Sequence, residues 1–328
     1  MQSRGIKSET VIWSRVMNPE NIRKLIKKGR ILWNEPMSRH TSFRVGGPAR
    51  VFLEPFTEEE LTAAILYFRR NGIPYIVTGN GTNLLVSDEG YDGAVIHLGR
   101  VEGSDFVMLG YEETEEGVLF DAGCGCLMSS LGSIAASLSC TGFEPLSGIP
   151  GCIGGAVAMN AGAYGTETGK LLKDVSFVTE KGEKKTLEKK DLVFRYRGSS
   201  LADRNAVITR VSYYLPKGET SEISARMKEY AERRKEKQPL EYPSAGSTFK
   251  RPEGYYAGKL IEDCGLKGYA VGGACVSEKH AGFIINRDHA SAEDIYRLIR
   301  KVRQTVLEKY RISLETEVKM IGEFKDEQ

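Results

Sequence analysis

The 328-residue chain reads as a fold that mixes helices with short strands and divides near Pro216. Three observations carry that reading. Capped amphipathic helices alternate with short apolar runs bounded by glycine. Residues 142–165 are dominated by glycine and alanine and carry almost no formal charge. After Leu215-Pro216-Lys217-Gly218 the composition turns heavily charged.

The small-residue stretch organises the rest. Glycine serves where backbone takes positive φ or approaches another body closely. Two readings stand for 142–165: backbone laid against something large and flat, with amides free to donate, or a tight crossover between sheets.

In chain order, Asn18-Pro19-Glu20 opens a helix with Ile22, Leu25 and Ile26 on its apolar face and Gly29 at its end. His40 to Pro48 carries strand-like residues and a Gly-Gly-Pro stop. Arg44 there suits either an anion contact or a surface strand. Thr57 and Glu60 make a capping box for a helix buried through Leu61, Ala64, Ile65 and Phe68. Two apolar strands, 75–78 and 84–86, flank Gly79-Asn80-Gly81-Thr82-Asn83. Such a run exposes successive amides and suits a phosphate or pyrophosphate, with a simple hairpin turn as the alternative. It is neither a G-x-G-x-x-G fingerprint, because a strand follows it, nor a Walker loop, because it lacks G-K-[ST].

A strand over 118–123 and an amphipathic helix through Leu127, Leu131, Ile134, Ala135 and Leu138 lead into 142–165. A hairpin around Lys181-Gly182, residues 191–197 and an alternating strand from Ala206 follow. Beyond the linker come a charged helix to Lys237, a polar loop over 243–252, a short helix over 256–264 and a strand over 282–286. Ser291 caps a long helix buried through Ile295, Leu298, Ile299, Val302, Val306 and Tyr310. A last strand spans 314–321.

Basic and acidic residues nearly cancel, 46 against 44, so charge gives no reason to expect a nucleic-acid or membrane partner. No apolar run approaches the roughly 20 residues of a membrane helix, and residues 1–7 lack an apolar segment behind them. A soluble cytoplasmic protein is expected. The six cysteines lie among small residues without disulfide-framework or zinc spacing, so no metal is expected.

Three isolated signals need one explanation: Tyr196-Arg197-Gly198-Ser199 at a strand end, Ser247 in a glycine-flanked loop, and Glu317 in the last strand. A serine hydrolase lacks its G-x-S-x-G elbow here. Glycoside hydrolysis needs a second acid across a cleft. A non-catalytic nucleotide-binding module fits the pattern alone.

Six separated motifs resolve the choice by resemblance: 40–47, 79–84, 148–165, Tyr196-Arg197-Gly198-Ser199, Ala245-Gly246-Ser247-Thr248-Phe249-Lys250 and Leu314-Glu315-Thr316-Glu317-Val318. In this order the chain resembles the short form of the UDP-N-acetylenolpyruvoylglucosamine reductase family from about His40 onward. The resemblance implies an α+β fold of the FAD-binding PCMH, vanillyl-alcohol-oxidase-like type. Two subdomains, about 39–100 and 101–216, would hold FAD after an N-terminal helical segment, 1–38, and before an α/β substrate domain, 217–328. It implies NADPH as hydride donor, the enolpyruvyl UDP-sugar as substrate, and a monomer. Arg197, Ser247 and Glu317 would be catalytic. FAD would lie against Arg44, Gly79, Asn80, Gly81, Thr82, Asn83, Pro150, Gly151, Gly154, Gly155, Ala156, Asn160, Gly162 and Ala163. Tyr196, Arg234, Lys237 and Lys250 would bind substrate. The chain has Arg251 where long-form members have Asn, and it lacks the insertion that brings a tyrosine over the nucleotide in those members.

Overall fold

The computed structural model describes residues 18–99 and 101–325. The terminal stretch expected to carry no leader, within 1–17, lies outside the described residues. Helix Pro19–Leu25 begins where the Asn18 side chain accepts the Glu20 amide at 2.9 Å. It ends at Leu25 rather than at Gly29.

Strand Arg30–Pro36 comes next, an element missed in the sequence because its burial does not alternate. It pairs antiparallel with Pro48–Glu54, which lies parallel to Tyr91–His97, itself parallel to Tyr75–Thr78. Gly46-Gly47-Pro48 therefore opens a strand rather than stopping one. A Cβ on Gly47 would stand 2.0 Å from the Asp88 carbonyl oxygen, so backbone passes backbone there. Pro48, without an N–H, takes the first strand position.

Helix Glu58–Arg70 buries Leu61, Ala64, Ile65 and Phe68 as its spacing predicts. Only half of its capping box forms. Thr57 accepts the Glu60 amide, but the Glu60 carboxylate turns away from the Thr57 amide. It accepts instead from the amides of Lys27 at 2.7 Å, Lys28 at 2.5 Å, Gly29 at 3.2 Å and Phe56 at 2.8 Å. One buried carboxylate thus sews the chain after the first helix to the start of the second.

Five antiparallel strands form the second sheet, in the order Lys184–Glu188, Leu172–Val178, Val207–Pro216, Gly117–Gly123 and Leu109–Glu113. Its apolar face and that of the first sheet share one core, which joins Leu53, Phe68 and Ile96 to Phe120, Val175 and Val211. The expected strand at 191–197 shrinks to Phe194–Arg195, which turns back at once onto Gly198–Ser199.

The third region holds helix Thr220–Lys237, a small sheet of Ala270–Val271, Ala274–Val276 and Ile284–Asn286, and helices Ala257–Asp263 and Ala292–Tyr310. Ser291 and Asp294 form the full capping box. The region is tied into the first. Asp88 accepts the Ala292 and Glu293 amides, Asn286 donates to the Phe43 carbonyl, and Phe43, Val45 and Leu85 enter the third region's core. Of the last expected strand, only Lys319–Ile321 is regular. It pairs parallel with Leu84–Val86, so residues 79–83 cross between two sheets and are no hairpin turn.

Burial pushes the Glu60 carboxyl up, but the four amides together pull it below the ordinary carboxylate range. A depressed folded value adds stability above the unfolded pKa and loses it as pH falls through the folded one. Glu60→Gln should cost roughly 2–4 kcal/mol of unfolding free energy at pH 7. The deficit should shrink as pH drops below 4.5, measured by urea unfolding at several pH values.

Candidate active site

Tyr196 and Arg197 form the tight turn between Phe194–Arg195 and Gly198–Ser199. Arg197 stands at φ +56, a left-handed conformation uncommon outside glycine and asparagine. The turn aims its guanidinium at the far end of the chain, where Nε donates to Glu317 Oε1 at 2.5 Å. The Glu317 backbone is held from two sides. Its amide donates to the Thr248 carbonyl at 2.8 Å, and its carbonyl accepts from Asn83 Nδ2 at 3.0 Å. The second carboxylate oxygen, Oε2, is buried with no hydrogen-bond partner. Burial pushes the Glu317 carboxyl above its ordinary range, and the Arg197 charge only partly offsets this. An orphaned oxygen on a carboxyl that resists ionisation suits a proton or a hydrogen bond to an anionic ligand.

Ser247 joins these two in a cavity of about 340 Å³. Among the described residues no hydrogen bond engages its hydroxyl, which leaves that group available to a ligand. Tyr196 lies in the same wall, with the Arg197 guanidinium 4.8 Å over its ring.

Sequence reasoning missed the cavity's other wall. Lys259, Lys267, Lys279 and His280 line it, from separate helices and turns. No local pattern marks them. They converge because the chain between Ala257 and Gly282 curls around the opening. His280 Nδ1 accepts the Gly282 amide at 3.1 Å, and burial lowers its pKa, so the ring is neutral with its proton on Nε2. Lys250 does not line the cavity. It pairs with Glu315 at 3.0 Å just behind Glu317. Lys237 is exposed at the last position of its helix.

A second cleft, of about 140 Å³, opens between the first two regions and is lined by Val77, Thr78, Gly79, Leu98, Cys124, Gly154, Gly155, Ala158 and Ala206 to Ile208. It brings the Gly79 turn against the small-residue stretch, now helices Glu144–Ser147 and Ile153–Ala158 joined by Gly148 to Cys152. Gly81 has φ +61 and a Cβ there would stand 1.8 Å from the His40 carbonyl, so no other residue fits. Asn80 is engaged in the fold, and Thr82 faces Gly151, whose Cβ would touch its hydroxyl at 3.4 Å.

The expected cofactor residues separate by what surrounds them. Gly155 is exposed, and a Cβ on it would meet nothing within 4 Å. Gly154 faces inward, where a Cβ would stand 2.7 Å from that of Cys124. Ala156 is buried core. The Asn160 side chain is spent inside the protein on Glu167, the Arg195 carbonyl and the Gly169 amide. It positions the Gly162–Ala163 hairpin strand and has no amide group left for a ligand. Pro150 and Arg44 are exposed and line neither opening.

Arg234 lies on another wall. Its guanidinium packs on Gly148, where a Cβ would meet Nη1 at 2.1 Å, and lies 5.9 Å from the Tyr164 ring. Its Nε and Nη1 are buried without partners. The cation therefore lies against the small-residue stretch rather than in the Arg197–Glu317 cavity, with two donors to give to an anionic group. Among the described residues no helix is long and apolar enough to cross a membrane, and no cluster of three or more His, Cys, Asp or Glu has metal-binding geometry.

Residues 238–321 match the C-terminal domain of UDP-N-acetylenolpyruvoylglucosamine reductase, and residues 48–188 match an FAD binding domain. A UDP-N-acetylenolpyruvoylglucosamine reductase of Caldanaerobacter subterraneus is 45% identical over 93% of this chain and 98% of the relative. One from Lachnoclostridium phytofermentans is 44% identical over 93% and 97%. The crystal structure of UDP-N-acetylenolpyruvylglucosamine reductase from Thermus caldophilus superposes with a TM-score of 0.74 at 36% identity, over 90% of this chain and all of that one. The fold is the two-subdomain FAD-binding type with a further substrate-binding region.

The cleft fits FAD on one observation above all: Gly155 leaves open the space that a side chain would fill. Gly155→Leu should match flavin-stripped wild type in thermal stability yet purify with less than about a tenth of its flavin, read by absorbance near 450 nm. Gly154→Leu should lose stability itself, by roughly 1–3 kcal/mol or more, because its neighbour is packed protein. Stoichiometric FAD in Gly155→Leu would refute the assignment.

Proposed function

The chain belongs to the UDP-N-acetylenolpyruvoylglucosamine reductase family, and on that premise we propose how its own residues carry the reaction. The protein is an FAD-dependent oxidoreductase that reduces UDP-N-acetylenolpyruvoylglucosamine to UDP-N-acetylmuramate with NADPH, a step in peptidoglycan precursor synthesis. Bound FAD supplies the hydride path from NADPH to the enolpyruvyl C3. The remaining work, at C2 and the carboxylate, falls to side chains.

The observation that carries this reading is the meeting of Arg197, Glu317 and Ser247 in one cavity. Arg197 turns its fork to the substrate carboxylate, and its placement by Glu317 costs no reorganisation during the reaction. Negative charge that develops on C2 and the carboxylate meets Arg197 and the Glu317 carboxyl, which burial pushes toward its neutral form against the pull of the Arg197 charge. Ser247 gives its proton to C2, a task that needs a short, free hydrogen-bond path more than a low pKa. Asn83 joins the two openings, because it closes the Gly79 turn and holds the Glu317 carbonyl.

In the cofactor cleft, the Gly79 to Asn83 turn holds the pyrophosphate, and Gly151, Gly155 and the Gly162–Ala163 strand give close backbone approach. Arg234, with its two unpaired donors, faces an anionic portion of the bound ligands. Tyr196 acts on the substrate side, and Lys250, paired with Glu315, adds its charge beside Glu317. Lys237, at a solvated helix end, contributes at most long-range charge. A cytoplasmic monomer serving cell-wall growth, cell shape and division is the setting that fits this chemistry.

Ser247→Ala should leave flavin reduction by NADPH within about twofold of wild type. Its flavin reoxidation by the UDP-sugar should slow by a factor on the order of 10² to 10⁴. Equal loss in both half-reactions, resolved by stopped flow, would remove the proton-donor role.

Glu317→Ala, which removes the donor that Gln would keep, should slow reoxidation on the order of 10² to 10³-fold, the typical cost of one preorganised donor to a developing oxyanion. Its NADPH half-reaction should stay close to wild type. A reoxidation rate within a few-fold of wild type would show that the carboxyl holds Arg197 and does nothing more.

A further inference from the structure

We propose that the uracil ring of the substrate stacks on the Tyr256–Arg251 pair at the mouth of the catalytic cavity, the place that in this chain closes over the nucleotide end. The inference rests on the function proposed above and deepens it. The Arg251 guanidinium lies 3.9 Å over the Tyr256 ring, the tightest cation–ring contact among the described residues, and both side chains line the cavity. Tyr256 is nevertheless 63% exposed. A ring with one side covered by a guanidinium and so much surface open to water is a planar apolar face without a partner.

The pair is rigidly tied to the reacting end. The Arg251 amide donates to the Tyr196 hydroxyl at 3.0 Å, and Tyr196 lies under the Arg197 guanidinium. Arg251 Nε also donates to the Tyr255 carbonyl at 3.3 Å, which closes a short loop around Tyr256. Arg197 and Tyr256 line one cavity, as a ligand with a charged group at one end and a flat base at the other requires.

Charge sets the direction of the ligand. The cavity of about 340 Å³ is lined by Arg197 and Glu317 as well as by Arg251 and Tyr256. With the enolpyruvyl arm against Arg197 and Glu317, the nucleoside reaches the mouth. The lining also carries Lys259, Lys267 and Lys279, now paired with Asp263, Glu262 and Glu241, cations that a diphosphate would draw toward itself. Stacking on an aromatic face is tolerant of base identity. The adenine of the reductant therefore shares this chemistry, and the test must separate the two sources.

The decisive experiment titrates the oxidised holoenzyme with UDP and, separately, with 2′,5′-ADP, following the flavin absorbance. Tyr256→Ala should weaken UDP about 5- to 100-fold while its Kd for 2′,5′-ADP stays within twofold. Tyr256→Phe should restore UDP binding, and Tyr256→Leu, which keeps bulk without a planar ring, should resemble the alanine variant. Flavin content and thermal midpoint of each variant guard against misfolding, and the phenylalanine and leucine pair decides the matter should the alanine variant fail to fold. Unchanged UDP affinity in the leucine or alanine variant overturns the proposal. Weakened 2′,5′-ADP with unchanged UDP also overturns it and gives the rim to the reductant. A wild-type enzyme that the UDP-sugar fails to reoxidise would overturn the function instead, a result the equilibrium titration keeps distinct.

Discussion

Arg197 and Glu317 are 120 positions apart and meet at 2.5 Å, one in a strained turn and the other with an oxygen left unpaired. A half-buried pair of this kind gains little net stability from its Coulomb attraction once desolvation is counted. Such a pair makes sense as placement of polar groups for a ligand. The surrounding structure over-determines it. The two-residue strands around Arg197 fix the guanidinium, while the Thr248 carbonyl and the Asn83 amide fix the Glu317 backbone. Positive φ outside glycine is sustained only where neighbours enforce it, and such positions gather at functional sites.

The same economy of contacts joins cofactor and substrate regions. Asn83 ends the glycine turn that faces the small-residue stretch, and it also holds the strand that carries Glu317. Movement of that turn therefore reaches the acid through one hydrogen bond and the parallel pairing of Leu84–Val86 with Lys319–Ile321. Within the small-residue stretch, adjacent glycines do different jobs. Gly154 lets one helix press on Cys124, and Gly155 leaves the cleft open. Composition makes the two identical, and only the direction of the missing Cβ separates them.

Much of the local structure was legible because it rests on local rules. Asn18, Thr57 and Ser291 cap the helices that their spacing announced, and the buried faces of Glu58–Arg70 and Ala292–Tyr310 follow the helical period. The misses share a cause, which is that tertiary partners chose the outcome. Glu60 left its capping box for three amides some thirty residues away. Arg30–Pro36 became a strand by pairing, without an alternating pattern of its own. The trio proposed as catalytic was legible only as separated motifs, and the lysines opposite it were not legible at all. They converge because Ala257–Asp263 and the turns after it wrap the cavity, a fact of packing that no window of sequence contains.

A double-mutant cycle on Arg197 and Glu317, read in the substrate half-reaction at saturating UDP-sugar, tests most directly whether the two act as one unit. If they do, Arg197→Ala with Glu317→Ala should be no slower than the slower single variant by more than about threefold, since groups that act as a unit are strongly non-additive. Losses that multiply across the pair would mean two independent contributions and would contradict the account.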